Sequence, residues 1–168
     1  MIDSTEKKLI FRISKNVVEK FSPQEFLLFQ VTSDAYFKNP QKTLKELKEK
    51  DEMLGFGPGE SVTLLAPIVL AVTTEVVKFA IGILQEAAKD DLKDRVRENL
   101  FSKFSNRLFQ NSNPTEYEIS SLTNPQREQL RQAAFEKACQ FNLSEDQAKQ
   151  LSDYIVDNFP QNYEDFDD

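Results

Sequence analysis

The segment Ser61–Leu84, SVTLLAPIVLAVTTEVVKFAIGIL, limits this chain more than any other part of it. Its 24 residues carry only two charges, Glu75 and Lys78. A helix that is apolar all round must be enclosed, either by other helices or by lipid.

Three environments meet that demand. In the first, the segment is the central helix of a bundle, and Glu75 and Lys78, three positions apart, form an ion pair at its rim. In the second it enters a membrane, since about 20 apolar residues cross a hydrocarbon core of roughly 30 Å. The two charges oppose this, at about 2.5–3.5 kcal/mol each near the bilayer centre. They are tolerable if several copies turn them inward, with the small residues Ala71, Ala80 and Gly82 allowing close approach. In the third, the segment is the seam of a homo-oligomer, because such interfaces resemble a domain core cut in half. Val69, Val72, Val76, Phe79 and Ile83 are then the contacting residues. The readings are not mutually exclusive.

The rest of the chain reads as helices. Asp3 and Glu6 have capping-box spacing, and Ile10, Ile13, Val17 and Phe21 continue as one helical face. Leu9, Phe11 and Ile13 also alternate as in a strand, but the stripe running on to Phe21 favours helix. Ser22-Pro23-Gln24-Glu25 is a second box with Pro at the first helical position. It opens a helix whose apolar side is Phe26, Leu27, Val31 and Ala35, ending near Lys38. Asn39-Pro40 starts a Lys/Glu-rich surface helix, with Leu44, Leu47 and Leu54 on its inner side and Glu46–Lys50 as an i,i+4 pair. Gly55-Phe56-Gly57-Pro58-Gly59 then breaks the pattern. No strand precedes it and Pro58 lacks an amide donor, so Gly55, Gly57 and Gly59 read as a hinge, not a phosphate loop.

Beyond the apolar segment, Leu92, Val96, Leu100, Phe104 and Leu108 recur every fourth residue, the pattern of an amphipathic helix. Residues 111–122 form a polar linker. Thr123-Asn124-Pro125 opens a helix with the stripe Leu130, Ala134, Ala138 and Phe141, broken at Asn142-Leu143. Ser144-Glu145-Asp146-Gln147 is a further capping box before Ala148, Leu151, Ile155 and Phe159. Residues 123–160 therefore read as a helical hairpin, and 161–168 as an acidic, disordered tail.

Composition removes most chemistry. The 168 residues suit one domain, or one domain with a helical appendage. There is no His, so the commonest general base, metal ligand and pH switch is missing. The one Cys, Cys139, permits no internal disulfide and has no His to activate it, so it reads as a small buried hydrophobe. Glu164, Asp165, Asp167 and Asp168 lack the spacing and glycine of a calcium loop. Arg95, Arg97, Lys103 and Arg107 are interleaved with Phe101, Phe104 and Phe109, but five acids share residues 86–110, which makes this a solvated helix face. No catalytic residue, cofactor, metal, small-molecule substrate or nucleic-acid partner is assigned. The net charge of -7 is unevenly spread: residues 1–50 hold ten bases against seven acids, and residues 111–168 four against twelve.

The first fourteen residues lack the apolar core of roughly 7–15 residues that a secretory signal needs. The solitary Cys139 suits a reducing compartment. The chain is expected to be cytoplasmic, with membrane association left open by residues 61–84.

Two stretches, LLAPIVLAVTTEVVKFA and LTNPQREQLRQAAFEKACQFNLSEDQAKQLSDYIV, resemble segments of uncharacterised small helical proteins from photosynthetic bacteria. They cover roughly a third of the chain. The resemblance implies a bacterial, non-secreted protein, and implies no activity or site residue.

The expected fold is all-α: a helical bundle over residues 1–110 around the long apolar helix, then the linker and a C-terminal hairpin. The expected function is non-enzymatic interaction or assembly, with itself or another protein as partner, through Val69, Val72, Val76, Phe79 and Ile83. The alternative is a membrane-associating or pore-forming effector that inserts residues 61–84.

Overall fold

The computed structural model describes residues 2, 4–53, 64–87 and 122–159. In it Ser4–Phe21 is one continuous helix, α1, which buries Leu9, Ile10, Ile13, Val17 and Val18. Burial at this spacing is a helical face, so the competing strand is not formed. A 3-10 helix follows at Pro23–Leu28, then α2 at Phe29–Lys38 and α3 at Pro40–Met53. Asn39 starts α3 by accepting a bond at its side-chain oxygen from the Lys42 amide, 3.0 Å away. Lys42–Glu46 and Lys45–Glu49 pair along its exposed side, while Leu47 turns inward.

The apolar helix, α4, spans Leu65–Ala87, about 35 Å at 1.5 Å per residue. Pro67 lies in its first turn, where a missing amide donor breaks no intrahelical bond. Residues 66–74 are all buried, more than two full turns with no exposed face. That requires neighbours on every side, and α1, α2, α3 and the following helix all pack on α4. From Glu75 onward a solvent face opens along Glu75, Lys78, Phe79 and Glu86.

Two more helices, α5 (Asn124–Cys139) and α6 (Glu145–Asp157), form the C-terminal hairpin. Both begin with complete capping boxes, Thr123 with Gln126 and Ser144 with Gln147. Asn142 takes φ 59° between them, a left-handed value that Asn tolerates better than most residues and that ends α5. Leu130, Ala134, Ala138, Ala148, Leu151, Ile155 and Phe159 are buried, as their periodicity predicts. They join one continuous core with α1 and α4, and Leu122, at the end of the expected linker, is buried in it too. The three alanines let backbones approach closely without leaving voids.

The fold is thus all-α, a bundle around a long apolar helix with a helical hairpin at its C-terminal end. The glycine hinge (Gly55, Gly57 and Gly59), the stripe Leu92–Leu108, the linker 111–121, the tail and the Glu46–Lys50 pair lie outside the described residues and side chains.

Candidate interaction surface

Burial redistributes the residues expected to make contacts. Val69, Val72 and Val76 are fully enclosed by the chain's own helices. Ile83 is half-buried and Phe79 is 42% exposed, so only the last part of that row reaches the surface. The burial follows from neighbours: α1, α2, α3 and α5 supply the enclosure that the apolar sequence demands. Glu75 and Lys78 both face solvent, and among the described residues no ion pair joins them.

A different apolar surface is left open. Leu27 is 88% exposed, Leu28 66% and Val31 69%, with Ala35 exposed one turn further on. Leu27, Val31 and Ala35 belong to the stripe that its spacing had assigned to the core, of which Phe26 alone is half-buried. The side of α2 that is buried instead carries Phe29, Ser33 and Tyr36. Val31 is two residues from Phe29, about 200° around the helix, so burying one exposes the other.

The aromatic side wins on area and on hydrogen bonding. Phe29 and Tyr36 each bury on the order of 150–250 Å², more than Val31 or Ala35 can. Phe29 meets the Phe11 ring at 5.2 Å between centroids. The Tyr36 hydroxyl donates to Thr74 Oγ1 at 3.2 Å, and Thr74 donates to the Leu70 carbonyl at 2.7 Å. Ser33, between the two aromatics, is satisfied by donating to the Gln30 carbonyl at 2.8 Å. Burial pushes the Tyr36 phenol above its ordinary value, and the Glu75 charge adds to the rise.

The 3-10 helix has its own reason to be where it is. Ser22 makes no capping bond to its backbone. Its hydroxyl donates instead to Glu25 Oε1 at 2.6 Å, and the Glu25 carboxylate accepts from the Leu65 amide at 2.8 Å and the Ala66 amide at 2.9 Å. Pro67 has no amide to satisfy. Glu25 therefore accounts for every amide donor in the first three residues of α4, and its charge lies at the positive end of the helix. What reads in sequence as a local box is used as a clamp between segments 40 residues apart. Phe26 is half-buried, with Lys15 Nζ 5.5 Å from its ring centre, which leaves Leu27 and Leu28 facing out.

The hairpin supplies the other surface feature, an open groove lined by Glu128, Arg131, Gln132, Phe135, Lys149 and Asp153. Arg131 is already committed there, to Asp157 at 2.9 Å, Asp153 at 3.4 Å and Glu128 at 3.6 Å. Nearby, Arg127 donates to the Val156 carbonyl; burial lowers its pKa, Arg131 lowers it further, and Asp157 opposes both. These cations tie α5 to α6. Cys139 is half-buried against the core at the end of α5. Among the described residues, no group of three or more Cys, Asp or Glu side chains is placed to hold a metal ion.

No family model matches this chain, and no curated protein or solved structure matches it.

Proposed function

We propose that this chain is a non-enzymatic helical interaction protein that associates with itself. The observation that supports it is the row Leu27, Leu28 and Val31, three large apolar side chains mostly in water on one face. Isolated exposed apolar residues are common; three neighbouring ones that stay in water while an aromatic side is buried form a surface that a partner can cover. The hairpin adds a polar second surface, on which Arg131 is held by Glu128, Asp153 and Asp157. The absence of His and the solitary, half-buried Cys139 weigh against catalysis. Light scattering over a range of concentrations tests the proposal: the mass should rise above 19.4 kDa, and a constant monomer at every concentration refutes it.

Membrane association is the second reading. Leu65–Ile83 is long and apolar enough to span a bilayer, but 72% of that span is buried inside the protein. Insertion would strip α4 of the helices around it. Flotation with liposomes would favour this reading, and its absence would leave α4 as a core helix.

A further inference from the structure

We draw no further inference here: the strongest candidate, the exposed apolar face of Leu27, Leu28 and Val31 where the 3-10 helix runs into α2, carries nothing beyond the association proposed above, because nothing in the structure shows what covers it.

Discussion

Replacing Glu25 with alanine removes the acceptor for both amides at the start of α4, Leu65 and Ala66, together with the partner of the Ser22 hydroxyl. The bonds are part-buried, so water can replace some of what is lost, and the cost belongs with helix caps more than with sealed donors. A lost cap costs about 0.5–2 kcal/mol, and a lost charge at a helix N-terminus about 0.3–1 kcal/mol more. The sum is about 2 kcal/mol, a fall of about 4–8 °C in Tm for a domain of this size. Glu25→Gln keeps a carbonyl acceptor without the charge, and should lose about half as much. Ser22→Ala removes only the 2.6 Å bond that orients the carboxylate; it should cost less than either, and add little to Glu25→Ala because the two act as one unit. Urea unfolding with an unchanged slope would report stability alone. If Glu25→Ala lies within about 0.5 kcal/mol of wild type, or Glu25→Gln is as damaging as Glu25→Ala, the clamp is not what fixes the start of α4.

The neighbouring threonines of α4 should respond with opposite signs. Thr73 Oγ1 is buried with no hydrogen-bond partner among the described residues, so Thr73→Val should be neutral or stabilise by up to about 1 kcal/mol in urea unfolding. Thr74→Val strands the buried Tyr36 hydroxyl, and should destabilise by about 1–3 kcal/mol. Tyr36 also gives a pH signature: its folded-state pKa is raised, so its contribution is complete below the unfolded value near 10 and is lost as pH climbs through the higher folded value. Tm should therefore fall less steeply with rising pH above about 10 in Tyr36→Phe than in wild type. Leu70→Ala, at a fully buried site, should cost about 2–5 kcal/mol, while Phe79→Ala on the half-open side of α4 should cost clearly less; equal losses would place Phe79 in the core.

Most of the architecture is written in capping chemistry and periodicity. Thr123 with Gln126 and Ser144 with Gln147 close their boxes as their spacing implies, because donor and acceptor lie on one turn and need no outside help. The stripe of α1 and both stripes of the hairpin are buried where the 3.6-residue period puts them, except for the half-buried Phe21 and Phe141 at their ends. The failures share one cause, a choice made by a distant residue. Ser22–Glu25 looks local, but its carboxylate is claimed by α4. In α2 both sides could have been buried, and the sequence signal for the correct one, Phe29 and Tyr36 two turns apart around a small Ser33, competes with a stripe containing more aliphatic residues. Area and the Thr74 bond decide it, and Thr74 is 38 residues away.

The same comparison relocates the functional question. An apolar sequence of near-membrane length invites attention to α4, and its valines look like a seam. Yet burial is a demand that any enclosing surface can meet, and here the chain's own helices meet it over residues 66–74. Once that demand is satisfied internally, apolar character no longer points to a partner. Leu27, Leu28 and Val31 carry the argument precisely where α4 cannot, because their chain has an alternative, aromatic side to bury and leaves them in water. Keeping three such residues exposed confers no folding benefit that polar residues would not match at lower risk of aggregation. A use for that face is therefore the most economical account of its sequence.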